Sequence, residues 1–155
     1  MSKQTRTLKG LLLPTTGHRL FVPNAAIAEI VPMNNVVPVE DTPNWMLGYL
    51  SWRRRSLPLV SFETVVDETR APVISPRAQI AIVYGLSGNP DRAHMALLIQ
   101  GIPKVVHLEE KDVESAEGST NQTHPLVLQD MKIGGEIVGV LDIDALEMLL
   151  EKAGL

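Results

Sequence analysis

The sequence predicts a mostly β protein, built as two small barrels and a closing helix. Short apolar runs recur along all 155 residues, and glycine, proline and asparagine turn signals separate them, a spacing typical of small barrels and sandwiches. The segment Asp67–Pro76 is charged and punctuated by proline, as expected of a linker, and turn signals cluster on either side of it. We therefore expect one domain over 1–155, with a first lobe near residues 15–70 and a second near 76–140.

The first half is predicted to contain two hairpins. Thr5–Leu13 and Arg19–Val22 flank a Pro-Thr-Thr-Gly-His turn, where glycine can supply a positive φ. A short helical segment of one or two turns is expected over Ala25–Ile30, after an asparagine suited to an N-cap. The second hairpin has the apolar strands Met46–Leu50 and Leu57–Val60.

The second half is predicted to repeat this style, without an alignable internal repeat. Gly134-Gly135 is a strong signal for a two-residue hairpin turn. The polar stretch Glu109–Pro125 is long for a loop in a small domain, and loops of that length are usually functional or mobile. The strands expected here are Gln79–Tyr84, His94–Ile99, Leu126–Ile133 and Ile137–Leu141.

A C-terminal helix is predicted over residues 144–153. Asp144 stands where an N-cap belongs, and Glu147 three residues later completes a capping box. Ile143 and Met148 have the spacing of a hydrophobic staple. The helix is therefore expected to begin at Asp144 and to pack its leucines on the barrels.

The composition excludes several classes of protein. There is no cysteine, which removes disulfides, thiol nucleophiles and sulfur-ligated metals and fits a reducing cytosol. A net charge of −4 argues against a general nucleic-acid role. No apolar run approaches the roughly 20 residues of a membrane helix. We expect a cytoplasmic protein without direct membrane insertion.

The chain carries no recognisable catalytic, metal or cofactor motif. It has neither a phosphate-binding loop nor a nucleophile elbow. The carboxylates Asp142 and Asp144 are close together, but helix capping accounts for both. The four histidines lie too far apart in sequence to form a metal pair and are expected to be exposed or half-buried: His18, His94, His107 and His124.

The stretch Pro43–Val60 is the most unusual part of the sequence. It holds both tryptophans, Trp45 and Trp52, and the consecutive arginines Arg53–Arg55. A cationic turn between two apolar strands presents charge to an acidic partner, although a solvated tip that keeps the strand edge soluble is the alternative. Each tryptophan is either a core residue or an interface residue, and the sequence leaves both readings open.

The same stretch resembles the signature of CheW-like domains, the chemotaxis coupling-protein family. That signature runs from proline through a spacer to Gly-x-x-Asn-x-Arg-Gly and then to an apolar-Pro-apolar strand. Here Pro43 leads to Gly48 and Arg53, and the strand is Leu57-Pro58-Leu59-Val60. Ser51 replaces the usual asparagine and Arg54 the usual glycine, so we expect an altered turn, since a non-glycine residue at positive φ is costly.

The resemblance implies two SH3-like five-stranded barrels and no catalysis. It also implies two partners, a CheA-type histidine kinase and the helical cytoplasmic tip of methyl-accepting chemoreceptors. The departures from the signature suggest a divergent member, of the kind found in type IV pilus-linked chemosensory systems that drive twitching motility. The residues expected to contact a partner are Gly48, Ser51, Trp52, Arg53, Arg54 and Arg55.

One alternative class competes with this interpretation. An SH3- or OB-like barrel that binds nucleic acid would also place arginines beside an aromatic residue. The acidic pI of about 5.5 and the scarcity of aromatic residues disfavour it.

Overall fold

The computed structural model of the chain describes residues 7–67, 69–115 and 124–155 and contains two curled β-sheets and one α-helix. The predicted mostly β class is confirmed. The strands are β1 (Thr7–Thr15), β2 (His18–Pro23), β3 (Ile27–Pro32), β4 (Val36–Val37), β5 (Met46–Trp52), β6 (Arg55–Ser61), β7 (Gln79–Tyr84), β8 (His94–Ile99), β9 (Lys104–Glu109), β10 (Val113–Ser115), β11 (Val127–Ile133) and β12 (Glu136–Leu141), and the helix is α1 (Ile143–Lys152).

Each sheet has six strands, one of them very short. The first, called the terminal sheet below, has the order β10-β11-β12-β2-β1-β9. The second, called the central sheet, has the order β3-β7-β8-β6-β5-β4. Because β10 has three residues and β4 only two, each sheet amounts to five longer strands and one short edge strand.

The sheets divide the chain differently from the expected lobes at 15–70 and 76–140. The terminal sheet takes strands from both ends of the chain, whereas the central sheet takes every strand between Ile27 and Ile99. The segment Asp67–Pro76 joins β6 to β7 within the central sheet and therefore separates no lobes. Turn signals report local hairpins, but each sheet also depends on one parallel pairing between strands far apart in the chain, β12 with β2 and β6 with β8.

The segment between β6 and β7 is fixed to the end of β8 by one side chain. The Gln100 amide nitrogen donates to the Val73 carbonyl oxygen at 2.7 Å, and its amide oxygen accepts from the Ser75 backbone N–H at 2.9 Å. The sequence-predicted linker is therefore held against the sheet on which it begins and ends.

Three apolar clusters stabilise this arrangement. The largest lies between the two sheets and includes Leu20 of β2, Leu97 of β8 and Leu146 of α1. A second is formed by residues of the central sheet, around Trp52, and a third by residues of the terminal sheet, around Phe21. The helix packs on the shared cluster, so it stabilises both sheets at once.

The helix begins one residue earlier than predicted, and its cap is Asp142. The Asp142 carboxylate accepts from the Ala145 backbone N–H at 3.0 Å, while Asp144 lies in the first turn. The predicted Asp144 cap is therefore wrong. Asp142 has the extended backbone of a residue leaving a strand, which is the conformation that an N-cap requires.

Glu147 does not form the predicted capping box. It is buried, and its carboxylate accepts from the backbone N–H groups of Leu86 and Ser87 in the loop after β7. Burial alone would raise the pKa of Glu147, but these hydrogen bonds and that of the Ser87 side chain outweigh it and lower the pKa. Met148 is exposed, so the predicted staple is also absent.

Two other local predictions differ from the structure. Only Asn24–Ala26 forms a short 3-10 helix, and the rest of the predicted helical segment is β3, because its residues pair with β7. Part of the predicted loop Glu109–Pro125 is a 3-10 turn over Glu110–Asp112 followed by β10. Residues 116–123 of that loop lie outside the described residues.

Candidate functional site

The end of the β5–β6 hairpin carries Arg53, Arg54 and Arg55, and these three residues are called the arginine turn below. Trp52 pairs with Arg55, which leaves Arg53 and Arg54 as the two turn residues, with φ values of 45° and 62°. Positive φ at both positions is what a two-residue type I′ turn requires, and asparagine and glycine normally supply it. The turn thus has two residues, neither of them glycine. Because arginine is unfavourable at positive φ, each residue carries backbone strain of about 1 kcal/mol or more.

A single carboxylate, that of Glu29 on β3, holds the base of this turn. The indole N–H of Trp52 donates to Glu29 Oε2 at 2.6 Å, and Arg53 Nη2 lies 3.6 Å from the same oxygen. The Arg53 guanidinium carbon lies 4.6 Å from the centre of the Trp52 ring. Since β3 is an edge strand and β5 lies near the opposite edge, the contact also shows how far the central sheet curls.

Sequence reasoning missed Glu29, although a signal was present. Glu29 is the one charged residue in the apolar run Ile27–Val31. A carboxylate in a strand that packs on a core needs a donor, and a tryptophan N–H and an arginine are suitable donors. Nothing in the local pattern pairs Glu29 with a hairpin more than twenty residues away.

Both tryptophans belong to the core. Trp45 is 3% exposed and lies in the cluster between the sheets, and Trp52 is 7% exposed and lies in the cluster of the central sheet. Neither ring is available as an interface residue in this conformation. Trp52 therefore holds the arginine turn in place through its core packing and its hydrogen bond to Glu29.

Gly48 is also a supporting residue. Its φ is 149°, and a Cβ atom placed there would collide with the Val37 carbonyl oxygen of β4. Only glycine allows this close approach of the two strands. Of the six predicted contact residues, the structure therefore brings four to the exposed end of the hairpin: Ser51, Arg53, Arg54 and Arg55.

The three arginines differ in their surroundings. Arg53 is engaged by Glu29 and the Trp52 ring, although two-thirds of its side chain (67%) is exposed. Arg55 Nη1 makes a long contact of 3.5 Å to the Pro90 carbonyl oxygen. Arg54 is exposed and has no hydrogen bond or ion pair among residues 7–67, 69–115 and 124–155.

His94 lies next to the turn but does not add to its charge. Its ring centre is 4.8 Å from that of Trp52 and 5.3 Å from that of Tyr84. Burial, followed by the positive charges of Arg55 and Arg53, lowers the pKa of His94. The positive charge of this region near neutral pH therefore comes from arginine. A cavity of about 350 Å³ opens here, lined by Arg55, Ser56, Leu57, Pro90, Asp91 and His94.

His124, predicted to be exposed or half-buried, is buried. Its ring stacks on Phe62 with centres 3.8 Å apart and planes 7° from parallel. Nδ1 accepts from the Leu126 backbone N–H at 3.0 Å, and Nε2 lies 2.8 Å from the Phe62 carbonyl oxygen. With both nitrogens used in this way, His124 is a packing residue.

Two further features concern the described part of the chain only. Within it, no three histidine, aspartate or glutamate side chains group closely enough to hold a metal ion. No helix in the same residues has the length and apolar content needed to cross a bilayer.

Fold and site together define a class of protein, a β domain of two curled sheets with a shared core and an arginine turn at one end. The chain belongs to the CheW-like domain family, whose model matches residues 9–149, so the resemblance read from the signature is confirmed.

The chain is similar in fold to solved structures that include the crystal structure of scaffolding protein TtCheW from Thermoanaerobacter tengcongensis. The TM-score is 0.70 at 15% sequence identity, over 88% of this chain and 89% of that chain. At this identity the likeness concerns the fold. No curated protein matches the chain.

Proposed function

We propose that this chain is a non-enzymatic coupling protein that links a CheA-type histidine kinase to the cytoplasmic tips of methyl-accepting chemoreceptors. Membership of the CheW-like family supports the proposal. The observation that carries it is the arginine turn, in which three adjacent arginines are exposed on a hairpin fixed by the buried Trp52.

The arginine turn suits a helical partner that bears acidic side chains. A guanidinium group donates two parallel hydrogen bonds to a carboxylate, which sets orientation as well as affinity. The short turn and the Glu29 contacts limit the motion of the hairpin, so little conformational entropy is lost on binding. In this proposal Ser51 and the three arginines contact the receptor tip, and Gly48 and Trp52 keep the hairpin in shape.

The proposal places the protein in the cytoplasm, where kinases and receptor tips of this kind meet. It also includes a pilus-linked chemosensory system controlling twitching motility, because the chain departs from the usual signature at Ser51 and Arg54. The nucleic-acid alternative loses support, since the tryptophan on which it depended for base stacking, Trp52, is buried.

Calorimetric titration of the purified chain against a CheA-type kinase and, separately, a receptor-tip fragment tests the proposal. We expect binding to both, with the receptor affinity falling as salt is raised, because screening weakens contacts between exposed charges. Absence of binding to both partners would refute the proposal.

The variant Arg55→Glu, with Arg77→Glu as its control, tests the site itself. Both arginines are exposed, and Arg77 lies before β7, away from the turn. We expect the first change to weaken receptor binding about tenfold or more and the second to leave it within about twofold, since tenfold is about 1.4 kcal/mol. Arg53→Glu is less informative, because the new carboxylate would face Glu29 and destabilise the fold.

A further inference from the structure

We infer that Arg54 is the specificity-determining contact of the arginine turn, donating its guanidinium hydrogen bonds to a carboxylate on the partner helix. The inference rests on the proposed function and names the residue that selects the partner within it.

Arg54, like Arg53, has a strained backbone conformation. Four non-glycine residues of the described chain have positive φ: Asn35, Asp41, Arg53 and Arg54. Asparagine and aspartate tolerate this conformation because their short side chains bond locally, whereas arginine gains nothing from it. Glycine at Arg54 would relieve the strain, so the arginine carries a conformational cost that no hydrogen bond or ion pair within the described residues offsets.

Availability points to the same residue. A partner carboxylate that bound Arg53 would compete with Glu29, which already lies 3.6 Å from that guanidinium and also accepts from Trp52. Arg55 is directed towards the Pro90 carbonyl oxygen. In the described part of the chain Arg54 has no ion-pair partner. A carboxylate of another protein can therefore bind it without displacing an internal contact.

Charge identifies the chemistry of the partner. The chain as a whole carries a net charge of −4, yet this turn presents three adjacent positive charges. Two of them lie beside an acidic group of this chain, Glu29 for Arg53 and Asp91 in the cavity beside Arg55. Within the described residues Arg54 forms neither a hydrogen bond nor an ion pair, and an acidic side chain on a helical receptor tip is the group that it fits.

The variant Arg54→Gly separates binding from stability. We expect a higher thermal midpoint than that of the wild type, because strain is relieved, together with a five- to tenfold weaker affinity for the receptor-tip fragment. Arg54→Lys, which keeps the charge and loses the bidentate geometry, should bind with intermediate affinity. A residue with a merely structural role would show lower stability and lower affinity together.

Asn35→Gly is the matched control. It removes a second residue at positive φ, 59°, without changing charge, and its affinity for the tip should equal that of the wild type. Kinase affinity should be unchanged in all three variants. If wild type binds the tip and Arg54→Gly binds equally well, or if Arg54→Gly loses stability, the inference is overturned and the proposed function stands. If wild type does not bind the tip, both are overturned.

Discussion

Two hairpin turns in this protein share one geometry and differ in every residue. Gly134 and Gly135 join β11 to β12 with φ values of 57° and 84°, and Arg53 and Arg54 join β5 to β6 with 45° and 62°. In the glycine turn no atom lies within 4 Å of either Cβ position, so side chains would fit there. Positive φ favours glycine at both turns, so the backbone explains Gly134 and Gly135 but disfavours Arg53 and Arg54, and the reason for the two arginines has to lie in their side chains.

The surroundings of the two turns differ as well. Beside the glycine turn, Glu136 pairs with Arg19 at 2.9 Å, and both side chains are more than half exposed. Such a surface pair contributes under about 1 kcal/mol. Beside the arginine turn, the carboxylate of Glu29 meets the indole of the buried Trp52. The glycine turn simply connects two strands, whereas the arginine turn is anchored to a core.

Replacing Trp52 is expected to have the largest effect on the difference between the two turns, because its ring connects the arginine turn to the core. Trp52→Ala should lower the free energy of unfolding by about 3–5 kcal/mol, because it leaves a cavity in the central-sheet core. Trp52→Phe keeps the ring but removes the donor to Glu29, and should cost about 1–2 kcal/mol. Urea unfolding measures both. A loss below about 1 kcal/mol for Trp52→Ala would show that the turn is not anchored by its tryptophan.

A second variant tests whether Gly48 is required because β5 and β4 approach closely at that residue. Gly48→Ala should cost about 2–3 kcal/mol, since the new methyl group meets the Val37 carbonyl oxygen and the backbone at that φ disfavours alanine. Gly17→Ala, at positive φ with open space around it, is the control and should lose only about 1 kcal/mol. Equal losses in thermal denaturation would contradict the close-approach argument.

Placing arginines in the glycine turn tests directly how much positive φ costs an arginine. Replacing Gly134 and Gly135 with arginines should lower stability by about 2 kcal/mol, because both residues must hold positive φ without contacts that offset the strain. Chemical denaturation gives the difference. If the replacement leaves the free energy of unfolding unchanged, backbone strain at Arg54 is not an argument for its role in binding.

The smallest effect expected is a pH dependence from His94. Its folded-state pKa lies below the ordinary value of 6.5, so the unfolded chain takes up the proton first and stability falls as pH drops through 6.5. Above that pH the histidine contributes no slope. His94→Gln should therefore lose less stability between pH 7 and pH 5 than the wild type, in denaturant titrations at each pH. An unchanged slope would mean that His94 titrates normally.

The sequence allowed the hairpins and their turns to be predicted because those features are local. Gly134-Gly135 and the apolar strands around Arg53 and Arg54 were placed within one or two residues of their observed bounds. The C-terminal helix was also found, from the spacing of its leucines. Its cap was assigned to Asp144 because two aspartates stand close together and only the backbone at Asp142 distinguishes them.

What the sequence could not supply was contact between distant segments. The parallel pairing of β12 with β2 leaves no pattern in either strand, so the sheets were divided wrongly. The partners of Glu29, Glu147 and His124 likewise come from other elements. Of the candidate site, the exposed arginines were foreseen, whereas the supporting roles of Trp52 and Gly48 depend on packing that only the structure reveals.

The placement of β1 and β2 against β12 has a consequence for the order of folding during synthesis. The central sheet uses only strands between Ile27 and Ile99, so it can form while the chain is still being translated. The first hairpin must wait for β12, more than one hundred residues later, with its edge unpaired. We expect the nascent chain to present an open β edge until Leu141 emerges from the ribosome, which makes this interval its point of greatest exposure to aggregation and to chaperones.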